Sequence, residues 1–176
     1  MQSQDKYRIA LLSAYAVGLH GMESLIPSPV PWMRLGLANI ITVITLVLYG
    51  MKPAIMVTLI RVLVSSLLTG TFLGPAFILS FGGGLASTVA MGLVYSAVPG
   101  LFGIIGISII GALSHNITQL FFAYFLFVPR IGAILTIAPF IILTGSLTGL
   151  VNGIVSDAAI KNLKKNNQKS ENVSIR

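Results

Sequence analysis

The sequence predicts an all-α integral membrane protein, a bundle of about six transmembrane helices with both termini on the cytoplasmic side. Three observations carry that expectation. Hydrophobic residues make up 55% of the chain and charged ones 9%, with a mean hydropathy of +0.94. A soluble domain carries about a quarter charged residues, so this chain has too few to cover a surface facing water. Apolar runs recur at lengths near the ~20 residues a helix needs to cross hydrocarbon. The basic residues, finally, are gathered rather than spread.

Turn residues divide the chain into six apolar segments. The first, 8–26, ends in a stiff loop containing Pro27, Pro29, Pro31 and the single Trp32. The second, 35–49, is closed by GMKP at 50–53, and the third, 54–68, by TGTFLGP at 69–75. Both are short for complete spans. The fourth, 76–98, passes through Gly82, Gly83 and Gly84 and stops at Pro99-Gly100. The fifth, 101–128, ends at Pro129, and the sixth, 131–160, holds Pro139, an expected kink. Residues 1–160 thus read as one membrane domain. The basic, polar stretch 161–176 reads as an unstructured cytoplasmic tail.

Six spans bring both termini to one side. That side collects Lys6, Arg8, Lys52, Lys161, Lys164, Lys165, Lys169 and Arg176, eight of the eleven Lys and Arg. Cytoplasmic loops carry such an excess, which places the protein in the cytoplasmic membrane with this side inward. The net charge of +7 is therefore a topology signal, and no nucleic-acid partner is expected. The chain has no cysteine, so disulfides and thiolate metal sites are excluded.

The remaining three basic residues are Arg34, Arg61 and Arg130. Arg130, beside Pro129, reads as an interface anchor. Arg61 falls near the middle of the third segment, where a charge costs at least ~2.5 kcal/mol and should face the bundle interior or a cavity. Thr58, Arg61, Ser65 and Thr69 share one stripe of that helix, and Ser108, Gly111, His115 and Gln119 form another on the fifth, with Asn116 beside it. Two polar stripes on apolar helices read as walls of one cavity. Glu23 and Arg34 stand at the feet of the proline loop, and Asn39 lies about one turn into the next helix. Each has a plainer reading. Ser and Thr often satisfy carbonyls of their own helix. Glu23 and Arg34 could simply pair across the loop, and His115 and Asn116 could be structural hydrogen-bonders.

Catalysis is not expected. The four acids, Asp5, Glu23, Asp157 and Glu171, are scattered, so no carboxylate pair holds a divalent metal. FGGGLAS at 81–87 lacks the lysine of a phosphate loop and lies within a span, so close helix packing explains its glycines better. Gly145, Gly149 and Gly153 repeat the small-residue spacing on the sixth segment. On the first, Ser13, His20 and Glu23 share an inward face, while Ala10, Ala14 and Gly18 form a small-residue stripe elsewhere. No cofactor is expected.

Three stretches, ESLIPSPVPWMRLGLANIITVITLVLYG, LTGTFLGPAFILSFGGGLAS and IGISIIGALSHNITQL, resemble the Gx transporter family, also described as heptaprenyl diphosphate synthase component I. The likeness spans about 10–153. That family is in turn similar to the substrate-binding S components of energy-coupling factor (ECF) transporters. The resemblance implies a six-helix protein that binds a small molecule in an outward-facing cavity. It also implies docking onto a transmembrane coupling subunit and two ATPases, through an AxxxA motif matched here by Ala10 and Ala14. The resembling blocks contain Glu23, Arg34, Asn39, Arg61, His115, Asn116 and Gln119 as candidate substrate-binding residues. Synthases that condense isoprenoids resemble one another in DDxxD motifs, whereas this chain has two aspartates, at opposite ends. The first functional expectation is an S-component-like subunit for ATP-driven uptake of a small anionic molecule, vitamin-like or a quinone precursor. The alternative is a non-catalytic membrane subunit assisting polyprenyl diphosphate or menaquinone synthesis.

Overall fold

The computed structural model describes residues 3–24, 36–127 and 129–174, with side chains over 7–23, 36–127 and 129–166. Six helices follow one another: α1 (Ser3–Ser24), α2 (Asn39–Tyr49), α3 (Met51–Leu68), α4 (Pro75–Ala97), α5 (Ile104–Leu126) and α6 (Ile131–Ser174). Among the described residues there is no strand. Arg34 and the prolines of the first loop lie outside the described residues.

Local chemistry sets the boundaries. A single residue, Gly50, separates α2 from α3, and its φ of 87° is one that side-chain-bearing residues rarely adopt. Pro53 sits in the first turn of α3 and Pro75 at the start of α4, where the missing N–H costs nothing.

By length and composition α3, α4, α5 and α6 can each cross a membrane. Helix α1 is long enough, but Arg8, His20 and Glu23 make it less apolar. Helix α2 has 11 residues, about 16 Å of rise, and cannot cross ~30 Å of hydrocarbon alone. It is instead the hub of the bundle. Seven of its residues, 39 and 41–46, are buried, and it packs against all five other helices. Around it α1 packs on α3, α3 on α4, α4 on α5 and α5 on α6. The ring does not close: among the described residues no α-carbon of α1 comes within 8 Å of one in α6.

Helix α6 has 44 residues, about 66 Å of rise. It runs through Ser174, so the tail that the composition marks as unstructured is helical over 161–174. An established helix extends at little cost once its nucleus is formed. An Asp157–Lys161 ion pair of 2.7 Å, one turn apart with the acid first, supports the extension.

Packing between α5 and α6 is close at three glycines. Along α6, a Cβ at Gly145 would meet the Asn116 amide. At Gly149 it would lie 2.9 Å from Ile109 Cα, and at Gly153 2.7 Å from Ile105 Cα. These three glycines share one face at four-residue spacing and bring the backbones of α5 and α6 together.

Candidate functional site

Arg61 lies in the middle of α3, and its surroundings are polar. It is 3% exposed. Burying a charge in an apolar interior is costly unless polar groups or an opposite charge face it. A recess between α1, the start of α2, α3, α4 and α5 supplies them: it is lined by His20, Glu23, Gly36, Arg61, Val62, Ser80 and His115. Glu23 acts electrostatically on Arg61, and Arg61 in turn on His115. The space not occupied by atoms is about 250 Å³, part of it open to the exterior. The enclosed cavity itself is about 10 Å³, far below the ~300–1,000 Å³ of most small-molecule sites and room for about one water molecule, so a ligand's polar head enters only if the lining side chains part.

Glu23 also shapes the backbone. Its carboxylate accepts a hydrogen bond from Gly36 N–H. The carbonyl of Gly36 accepts from Asn39 N–H at 2.8 Å and from Asn152 Nδ2 at 2.9 Å. Gly36 has φ of 79°, so glycine is what this turn requires. One residue thereby ties the end of α1, the start of α2 and α6 into a single knot at the foot of the first loop.

One residue from each polar stripe, Arg61 and His115, lines the recess, and the others do not. Arg61 and Ser65 from one, and Ser108, Gly111, His115 and Gln119 from the other, are all buried, while Thr69 is exposed. His115 and Arg61 reach the recess; by distance and angle neither a His115 ring nitrogen nor Arg61 Nε completes a hydrogen bond, while the Gly83 backbone lies against the imidazole and acts on it. The Gln119 amide nitrogen is likewise buried without a partner, but Gln119 does not line the recess. Asn116 turns away: its Nδ2 donates to the Ile141 carbonyl at 2.8 Å and so joins α5 to α6. Asn39 donates from Nδ2 to Ser87 Oγ at 3.3 Å. Below Arg61, Thr58 and Thr88 hydroxyls meet at 2.9 Å, and Thr88 bonds back to the Gly84 carbonyl at 2.8 Å. Arg34 lies outside the described residues.

Sequence reasoning placed Glu23, Arg61 and His115 in the site. It put His20 on the same inward face of α1 as Glu23, three residues apart, yet did not count it among the candidates. Ser80 and Gly36 carried no signal of their own, since an isolated serine or glycine in an apolar chain is common. Among the described residues no three His, Asp or Glu side chains come together as a metal-binding group. What the recess offers chemically is recognition: a guanidinium, two imidazoles, a carboxylate and a hydroxyl around a small buried space.

The fold and the apolar helices define the class, a multi-pass helical membrane protein built as an S component is built. A solved structure of the S component of a bacterial ECF transporter superposes with a TM-score of 0.76, covering 94% of this chain and 98% of that one at 22% identity. The chain belongs to the heptaprenyl diphosphate synthase component I family, whose model matches residues 12–159. No curated protein matches it.

Proposed function

We propose that this protein is the substrate-binding membrane subunit of an ATP-driven uptake system, and that the recess receives the anionic head of a small vitamin-like or quinone-precursor-like molecule. The observation that carries the reading is the pairing of buried Arg61 and His115, which carry nitrogens that complete no hydrogen bond. Buried polar groups are nearly always satisfied, so such a cluster in a recess marks a place that a ligand completes. Arg61 would orient a carboxylate through charge-assisted hydrogen bonds, with His115 as a neutral second contact. Arg34 would add a second cation from the first loop. Gln119, Asn39 and Asn116 would act one step back, by holding the walls.

Uptake needs no chemistry on the substrate, so the protein is proposed to be no enzyme. Energy would come from partner ATPases through a transmembrane coupling subunit, since the chain carries no nucleotide-binding motif. The docking face would be α1, where Ala10, Ala14 and Gly18 are exposed between exposed Tyr7, Leu11 and Tyr15. Small residues at that spacing admit a close-packed helix. The end of the bundle bearing Arg8, Lys52 and Lys161 would face the cytoplasm.

The test is mass spectrometry of the small molecule that survives gentle purification, repeated on Arg61→Ala. A carboxylate-bearing molecule lost from the variant is expected; equal retention and equal uptake by Arg61→Ala would refute the reading. A second reading, a membrane subunit assisting polyprenyl diphosphate or menaquinone synthesis, is favoured by the open seam between α1 and α6. There Leu12 and Leu19 of α1, Ile40 and Leu48 of α2 and Ala159 of α6 are only partly buried around the buried Ile9, Ala16 and Ile160. A retained prenyl diphosphate, with copurification of a soluble DDxxD-bearing synthase, would support it instead.

A further inference from the structure

Gly82, Gly83 and Gly84 stand in the interior of α4, where glycine is among the poorest helix formers. Successive residues are about 100° apart around a helix, so three in a row sweep about 200° and cannot serve one neighbour as a four-residue repeat does. Each is covered by a different side chain. A Cβ on Gly82 would lie 2.0 Å from Phe122 Cε2. On Gly83 it would lie 3.0 Å from both Cε1 and Nδ1 of His115, and on Gly84 3.2 Å from Arg61 Nη2 and from Thr58 Cγ2. Two of the three covering side chains, His115 and Arg61, thus also line the recess and carry buried nitrogens outside hydrogen-bond geometry.

We propose that Gly83 and Gly84 are positioning residues of the recess. The bare backbone of α4 is the floor on which the imidazole and the guanidinium rest, and it sets the depth at which both present themselves to a bound anion. A methyl group at 83 pushes the ring outward by a few tenths of an ångström, and there is little freedom to absorb this. The ring is short, is attached close to the α5 backbone, and meets the new Cβ with three of its atoms. At 84 the methyl meets two side chains at 3.2 Å, the far end of Arg61, which yields more easily than a ring, and the Thr58 methyl, which lies outside the recess. Position 83 is therefore the more demanding of the two. The inference rests on the reading of the recess as a ligand site.

The chain has only two histidines, His20 and His115, so isotope-labelled histidine in the full chain in detergent micelles gives two ring signals. His115→Ala assigns them. Benzoate, a small aromatic carboxylate, serves as the probe anion. Gly83→Ala is expected to move the His115 signal in the benzoate-free protein while leaving His20 in place. It should also weaken benzoate about tenfold, the size of losing one well-placed charge-assisted contact. Gly84→Ala should weaken benzoate less, and not at all in an Arg61→Ala background. Gly92→Ala is the control, since its Cβ would meet Met51, which lies outside the recess. It should lower the melting temperature with His115 and the titration as in the unmodified protein. A His115 signal unmoved by Gly83→Ala, or moved equally by Gly92→Ala, overturns the proposal. If Gly83→Ala does not fold, additive effects of Gly84→Ala and Arg61→Ala overturn it. Benzoate that leaves His115 undisturbed in the unmodified protein would instead count against the recess as a carboxylate site.

Discussion

Two glycine-rich surfaces in this bundle do opposite jobs. On α6, Gly145, Gly149 and Gly153 are four residues apart and face one way, and two of them meet backbone: Ile109 Cα at Gly149 and Ile105 Cα at Gly153. On α4 they are consecutive, face different ways, and meet side chains: Phe122, His115 and Arg61. The α5–α6 seam is consequently a contact of main chains at Gly149 and Gly153, and only at Gly145 does a longer side chain, that of Asn116, enter it. The α3–α4–α5 contact is made of side-chain ends and can adjust. Spacing, more than glycine content, tells which kind of surface a run of small residues builds. The rigid seam holds the bundle, and the adjustable one holds the polar groups.

Matched substitutions probe the difference. Gly153→Ala should have the largest effect, because two backbones must separate, at a cost of ~3 kcal/mol or more for overpacking. Unfolding in a denaturing detergent titration measures it. Gly82→Ala should cost less, ~1–3 kcal/mol, although its nominal approach of 2.0 Å is shorter than the 2.7 Å at Gly153, since Phe122 can swing toward lipid. The reverse order in the same titration would break the comparison. Asn116→Ala comes next: it removes the 2.8 Å bond to the Ile141 carbonyl across the seam, worth ~1 kcal/mol. The smallest effect is expected for Thr58→Val, which keeps shape and loses the 2.9 Å bond to Thr88, ~0.6 kcal/mol for an interhelical hydrogen bond in a membrane. A Thr58→Val loss as large as that of Gly153→Ala would mean that the polar side, and not the seam, is the rigid part.

Much of this architecture is legible in the order of apolar runs and turn residues. The segment read at 76–98 is α4 (Pro75–Ala97), and the one read at 101–128 contains α5 (Ile104–Leu126). Gly50 and Pro75 mark boundaries because their backbone requirements are local. The central position of α2 was not legible, because only contacts made by residues far along the chain make an 11-residue helix the hub. The C-terminal helix was missed for the opposite reason. Its polarity suggests a free chain, but helical propagation from the apolar stretch before it decides the outcome. In the site, periodicity found Arg61 and His115, since both stand on stripes. It could not separate His115, which faces the recess, from Asn116, which is the next residue and turns to α6. One residue is 100° of helix rotation, and which neighbour lies there is a tertiary fact.

The knot at Gly36 has a consequence for how the protein is made. Its carbonyl accepts from Asn152, 116 positions later in the chain, and Ser156 reaches the Ile40 carbonyl across the same distance. During synthesis, the turn before α2 must therefore wait in the translocon or the lipid with that carbonyl lacking this partner. Helix α2 is too short to hold itself across the bilayer meanwhile. Helix α6, the last of the six to emerge, fastens the turn before α2, so a chain stalled before α6 should leave α2 without these two bonds and open to quality-control proteolysis.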